Sequence, residues 1–269
     1  MKKDPESALL YREWKTPPAK AILLLIHGLG AHSGRWDALG RFFSEHSVSS
    51  YALELKGFGE TKDYKGHIDS FNTYLADVKR LAEIAKRENE SANVFLLGES
   101  LGALIAILTA KENPPLFNGL ICISPAFVSK LNFSVLDYAR ILTYLLCNPK
   151  KHFNIPFNSA MCTRDKAYCE AMDKDVREHR LATPKFFLNT LKAQIKTASS
   201  KGWPDIPALF LIAGEDRLID TKVSRKVFES LKIKDKNLIE YPEMYHSISI
   251  DIEKEKAFRD ILTWLEKRI

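Results

Sequence analysis

Residues 93–102 read NVFLLGESLG and run without a break into ALIAILTA at 103–110. The apolar run Asn93–Leu97 has the length of a strand buried on both faces. The apolar stretch Leu101–Ala110 behind it is long enough for a helix. Between them lies Gly98-Glu99-Ser100-Leu101-Gly102. A strand that turns this sharply into a helix holds the residue at the turn in a strained backbone conformation, with its side chain exposed at the end of the sheet. Glycines two places before and two places after the serine let neighbouring backbone approach closely. The helix N-terminus adds unpaired N–H groups and a positive dipole end, where a developing oxyanion is stabilised. The stretch therefore predicts a β–α unit that displays a serine.

Outward from this unit the pattern repeats. Ala21–Ile26 (AILLLI), Ser50–Leu55 (SYALEL), Leu120–Ile123 (LICI), Ala208–Ala213 (ALFLIA) and Leu238–Tyr241 (LIEY) read as further buried strands. Phe71, Tyr74, Leu75, Val78, Leu81, Ala82 and Ala85 have helical spacing behind a capping candidate, Ser70. Phe258, Ile261, Leu262 and Leu265 repeat the spacing near the C-terminus. Strand–helix alternation implies an α/β fold, with a mostly parallel central sheet and helices on both faces. Ala8–Trp14 is expected as an antiparallel edge hairpin, turning at Thr16-Pro17-Pro18. The alternation stops between Phe127 and Pro204, where helix-compatible sequence with proline breaks replaces the strands. A structureless loop of that length is improbable. The expected division is a core of residues 1–127 and 205–269, with an inserted helical cap at 128–204.

The chain has 269 residues, enough for one such domain with a substantial core. Charged residues make up 28% and hydrophobic ones 45%, a balance that excludes a disordered or low-complexity chain. The net charge of +6 is not spread evenly. Residues 128–204 hold nine Lys and four Arg against four Asp and two Glu, leaving the remainder slightly acidic. No basic helix is interleaved with stacking aromatics, so nucleic acid is not an expected partner. Cys122, Cys147, Cys162 and Cys169 form no C-x-x-C pair and have no neighbouring His at zinc spacing, so free thiols are expected and no metal or organic cofactor is needed. No apolar run is long enough to cross a bilayer, and no secretory signal is visible. A cytoplasmic protein, peripheral at membranes, is expected.

A serine hydroxyl needs a base, and the base needs an acid to orient it. In the α/β-hydrolase arrangement the chain order is Ser, then Asp or Glu, then His, each beyond the C-terminal end of a strand. Downstream of Ser100, Ala208–Ala213 is followed by Gly214-Glu215-Asp216, and Leu238–Tyr241 by Pro242-Glu243-Met244-Tyr245-His246. Asp216 and His246 are therefore the expected acid and base. Asp220 is passed over because it stands before a helical run and reads as an N-cap. His152 and His179 precede any candidate acid and do not fit the order. His27-Gly28-Leu29-Gly30 follows the strand Ala21–Ile26, so the backbone N–H of Leu29 is expected to join that of Leu101 in an oxyanion hole, with His27 fixing the loop.

His27-Gly28-Leu29-Gly30-Ala31-His32-Ser33-Gly34-Arg35-Trp36 resembles the oxyanion-loop segment of monoacylglycerol lipases and lysophospholipase-like α/β-hydrolases. Gly66-His67-Ile68-Asp69-Ser70-Phe71 and the Gly98–Gly102 turn are similar to segments of the same family. Ile155-Pro156, Thr163-Arg164-Asp165 and the stretch 173–191 resemble its cap. The resemblance covers nearly the whole chain and implies an esterase or lipase acting on monoacylglycerols or similar single-chain lipid esters, with a cap over an acyl-binding tunnel. Three departures stand out. Glu99 occupies the place where the family commonly has His, Tyr245 the place where Gly often precedes the histidine, and in Glu54-Leu55-Lys56-Gly57-Phe58-Gly59-Glu60-Thr61 the family's usual aspartate and serine around the G-x-G are replaced.

Within the cap, Phe133, Leu136, Ile141 and Leu142 belong to a very apolar helical stretch and are expected to line the acyl site. The same stretch, ringed by basic residues, is expected to touch membrane or micelle surfaces. Two other readings share these motifs. A short-chain or aromatic carboxylesterase, or a peptidase-like amidase, would use the same triad and differ in acyl-length profile. A catalytically silent lipid- or ligand-binding protein would keep the scaffold without turnover.

Overall fold

The computed structural model describes residues 1–199 and 201–269. Its elements, in chain order, begin with β1 (Lys2–Lys3), β2 (Leu10–Trp14), β3 (Ala21–Ile26), α1 (Asp37–Glu45), β4 (Val48–Leu53), α2 (Asn72–Glu88), β5 (Asn93–Glu99), α3 (Leu101–Glu112) and β6 (Gly119–Ile123). The segment that follows contains α4 (Val135–Cys147), β7 (Phe153–Asn154), α5 (Ser159–Cys162), α6 (Lys166–Lys174), β8 (Leu181–Ala182) and α7 (Pro184–Ala198). The chain ends with β9 (Ala208–Ala213), α8 (Thr221–Ser230), β10 (Lys236–Tyr241) and α9 (Lys254–Glu266).

Among the described residues the main sheet has eight strands in the order β1-β2-β4-β3-β5-β6-β9-β10. The pairs from β4 to β10 are parallel, and β2 joins β1 and β4 antiparallel. This is the α/β-hydrolase fold. Both faces of the central strands are covered, and β3 is apolar at every position: Ala21–Ile26 is wholly buried. Successive residues of β3 supply opposite layers. Ile22, Leu24 and Ile26 belong to the apolar layer of α2 and α3, while Leu23 and Leu25 share the opposite layer with Phe43 of α1 and Phe258, Ile261 and Leu265 of α9.

Three local expectations change. The edge hairpin does not turn at Thr16-Pro17-Pro18. Asp4 forms the turn instead, its carboxylate accepting from Ser7 and its backbone bonding Leu9 and Ala8, so that β1 and β2 pair. The proline segment leads to β3, which β4 separates from β2. Helix α2 starts one residue later than Ser70 can cap, and Ser70 Oγ accepts from Asn72 N–H at 3.2 Å. Finally, the segment between β6 and β9 is not purely helical, because Phe153–Asn154 and Leu181–Ala182 form a short antiparallel ribbon. Its helices have clear capping signals. Ser134 and Asp137 form a reciprocal capping box on α4, and Thr183 caps α7 with Pro184 in its first turn.

Candidate active site

Four loops meet beyond the C-terminal ends of the strands. The loop after β3 carries Leu29, the turn after β5 carries Ser100, the loop after β9 carries Asp216, and the loop after β10 carries His246. Ser100 has φ +58° and ψ −117°, a conformation side-chain-bearing residues avoid. The flanking glycines make that turn possible. A Cβ on Gly98 would lie 2.3 Å from the carbonyl oxygen of Gly102, and a Cβ on Gly102 would lie 2.0 Å from that of Ile26. Strand β6 fixes the serine, whose N–H donates to Ile123 O at 2.9 Å.

His246 Nδ1 lies 2.8 Å from Asp216 Oδ2. The other oxygen of Asp216 accepts from Leu218 N–H at 2.8 Å and Ile219 N–H at 2.9 Å, which fixes the carboxylate plane. Burial raises the carboxyl of Asp216, but the charge and hydrogen bond of His246 and these two N–H groups outweigh it and hold the acid below its ordinary range. Burial alone would make His246 harder to protonate. Asp216, with a smaller contribution from Glu99, reverses this and leaves its pKa above the ordinary imidazole value. Among the described residues Asp216 is the single side-chain hydrogen-bond partner of the His246 ring; Nε2 makes no hydrogen bond to Ser100, and the two residues line one cavity.

Leu29 and Leu101 line the same cavity as Ser100 and His246. The loop of Leu29 presses against the serine: a Cβ on Gly28 would come 3.2 Å from Ser100 Cβ. His27 holds this loop. Its Nε2 accepts from Leu55 N–H at 3.1 Å, and its Nδ1 is 2.9 Å from Gly28 O, the pattern of a neutral imidazole with the proton on Nδ1. Burial lowers its pKa and keeps it neutral. Asp220 caps α8, accepting from Lys222 N–H at 3.0 Å. His179 meets the site only through its backbone, which donates to Gly30 O at 2.9 Å. His152 contacts Lys65 O and the ring of Tyr64.

The cavity wall is mainly apolar: Leu131, Phe133, Ile155, Phe157, Phe186, Phe187, Leu218 and Ile219, with Arg35, Glu99, Cys162, Thr190 and Gln194 among them. Phe133 is on this wall. Leu136, Ile141 and Leu142 are not, and Leu136 and Leu142 are 57% and 64% exposed. Helix α4 packs on α7 and, through Tyr144, on Phe153 of β7; it buries none of its residues fully, leaving Ile141 half-buried and Leu136 and Leu142 exposed. The sequence reading favoured the very apolar stretch of α4 and missed α7, where Phe187, Thr190 and Gln194 stand at i, i+3 and i+7 on the cavity face. That spacing was the available signal.

Residues 175–180 bond the loop after β3. Arg35 makes a two-pronged ion pair with Glu178 at 2.7 and 2.6 Å, both side chains being nearly buried. Ser247 N–H donates to Cys162 O at 2.8 Å, and Arg164 bonds Asp251. Among the described residues no group of three or more His, Cys, Asp or Glu side chains is arranged to hold a metal ion. No described helix is long and apolar enough to cross a membrane.

A family model described as "Serine aminopeptidase, S33" matches residues 17–253. Monoglyceride lipase of Homo sapiens is 30% identical over 268 residues, covering 97% of this chain and 87% of that protein. The crystal structure of Paleococcus ferrophilus monoacylglycerol lipase superposes with a TM-score of 0.84 at 26% identity, covering 97% of this chain and 99% of that one. A soluble variant of monoglyceride lipase from Saccharomyces cerevisiae gives a TM-score of 0.84 at 21% identity, over 96% and 91% of the two chains. With one family model over most of its length and a monoglyceride lipase relative at near-complete coverage, the chain belongs to the serine aminopeptidase S33 family of α/β-hydrolases, the family of the monoglyceride lipases.

Proposed function

We propose that the protein hydrolyses monoacylglycerols or similar single-chain lipid esters through an acyl-enzyme on Ser100. The observation that carries this reading is the cavity: Ser100 and His246 open into a wall dominated by aliphatic and phenyl side chains, the lining an acyl chain requires. The human relative's name points to the same substrate class.

In the mechanism, Nε2 of His246 removes the Ser100 proton as Oγ attacks the ester carbonyl. Asp216 keeps the proton of the neutral ring on Nδ1 and stabilises the imidazolium that forms. The N–H groups of Leu29 and Leu101 hold the oxyanion. His246 then gives its proton to the glycerol oxygen, and water repeats the sequence on the acyl-enzyme. The base works only when neutral. Activity therefore falls as pH drops through the His246 pKa, and the raised pKa places that acid limb above the ordinary imidazole value of 6.5.

Residues 128–204 form a cap in this reading, with α4 as its outermost, least anchored part. Val135 and Leu146 are 86% and 89% exposed, and Arg140 on the same helix and Lys150 and Lys151 just after it are exposed as well. An apolar helix face among basic residues suits an anionic lipid surface, where single-chain esters accumulate.

The test is a fluorophosphonate probe followed by fatty-acid release from a 1-monoacylglycerol. Wild type is expected to carry the probe on Ser100. Ser100→Ala should lose both labelling and turnover, by about 10⁶-fold in kcat, with an unchanged melting temperature. Labelling elsewhere, or turnover surviving in Ser100→Ala, would remove Ser100 from the mechanism.

A further inference from the structure

One buried ionisable group beside the nucleophile has no part in the steps above. Glu99 is the last residue of β5, adjacent to Ser100, 4% exposed and on the cavity wall. Both of its carboxylate oxygens bond one residue. Ser249 N–H donates to Oε1 at 3.2 Å, and Ser249 Oγ–H donates to Oε2 at 3.0 Å. Ser249 is itself buried and lies three residues beyond His246.

The sheet explains why such a bond matters. Ser100 leaves β5 and His246 leaves β10, but β6 and β9 stand between those strands. At roughly 4.8 Å per strand, the two loops start about 14 Å apart, so no ladder hydrogen bond sets the serine's position against the histidine's. The loop after β10 must return across two strands and then be held there. Glu99–Ser249 is a direct side-chain bond from the nucleophile's own strand to that loop.

The charges around Glu99 also bear on turnover. His246 faces it from the loop after β10, Arg35 from the turn before α1, Cys162 from α5 and Tyr168 from α6. Arg35 is already paired with Glu178. Burial pushes the carboxyl of Glu99 above its ordinary range, while His246 and the two bonds from Ser249 act in the opposite direction. An acid in such a place costs more than a packed aliphatic residue unless charge or position is being used.

We propose that Glu99 is a positioning residue: through Ser249 it pins the His246 loop to the nucleophile's strand, and its negative charge supports the imidazolium that His246 becomes in each half-reaction. This rests on reading Ser100 and His246 as nucleophile and base.

The test compares wild type, Glu99→Gln, Ser249→Ala and the double variant on a water-soluble chromogenic ester, with active sites titrated by fluorophosphonate so that unfolded protein is not counted. Glu99→Gln keeps the shape of the side chain and removes the charge. Its kcat per titrated site is expected to fall about ten-fold or more with KM within two-fold, and the acid limb of kcat/KM to move about half a pH unit or more downward. Ser249→Ala should lower kcat with a smaller movement of the limb. The double variant should be no slower than the slower single one, because both break one contact. A purely structural glutamate would lower the titratable fraction and leave kcat per site and the limb unchanged, and that result overturns the proposal. Independent, multiplying losses in the double variant overturn it too. If wild type itself neither labels nor turns over, the Ser100–His246 reading fails instead.

Discussion

Two aspartates four residues apart show how an identical side chain is assigned different work by its backbone. Asp216 directly follows the turn at the end of β9 and receives two N–H groups on one oxygen and His246 on the other. Asp220 opens α8 and satisfies its first turn. Asp216→Asn should therefore lower kcat by about 10⁴-fold, because the wrong tautomer of His246 is favoured, with little change in melting temperature. Asp220→Ala should leave kcat unchanged and cost about 1 kcal/mol in urea denaturation. Exchange of those two outcomes would reverse the assignment. Both positions were legible in the sequence, since one stands just past a strand and the other just before a helix. The same holds for Ser100, whose glycines declare a turn no other residues would permit. The partnership of Glu99 with Ser249 was not legible. The two are 150 residues apart, and neither carries a local pattern that names the other.

Among the elements, α4 and α7 divide the work in a way that hydrophobicity alone misassigns. Helix α4 is the more apolar of the two, yet Val135, Leu136, Leu142 and Leu146 are exposed. Helix α7 carries lysines and polar residues, yet one of its faces packs on α3 and supplies Phe187, Thr190 and Gln194 to the cavity. Composition says how much apolar surface a helix has, whereas periodicity says where it points. Phe187→Ala should reduce kcat/KM for a long-chain ester more than for an acetate, and leave binding to anionic vesicles unchanged. Leu142→Ser should leave acetate hydrolysis unchanged and weaken co-sedimentation with anionic vesicles. Equal sedimentation of wild type with neutral and anionic vesicles would contradict the electrostatic part of the surface reading. The core strands, by contrast, were read nearly to their ends, because strands buried on both faces are continuous apolar runs. The two-residue ribbon Phe153–Asn154 and Leu181–Ala182 gave no such run, being set by tertiary pairing rather than by local sequence.

Across the whole molecule, the parallel sheet brings four loops to one end, and side chains of the segment at 128–204 line the cavity there. That segment is braced at two places. Arg35–Glu178 and His179–Gly30 hold it to the oxyanion loop, and Ser247–Cys162 and Arg164–Asp251 hold it to the histidine loop. The net basic charge belongs to this segment, which also carries the exposed leucines of α4. The alternation of strands and helices made the sheet legible, and its interruption coincides with the helices and the short ribbon between β6 and β9. The bracing was hidden because ion pairs between distant loops have no spacing signature. All of this converges on one claim, that a single acyl chain lies in the apolar cavity with its ester at Ser100. The most direct measurement is kcat/KM on a ladder of 1-monoacylglycerols from acetyl to long acyl chains, kept below aggregation, with Ser100→Ala alongside. The account predicts a rise with chain length to a maximum at medium or long chains, absent in the variant. A maximum at acetyl or butyryl, or no hydrolysis at any length, would contradict it.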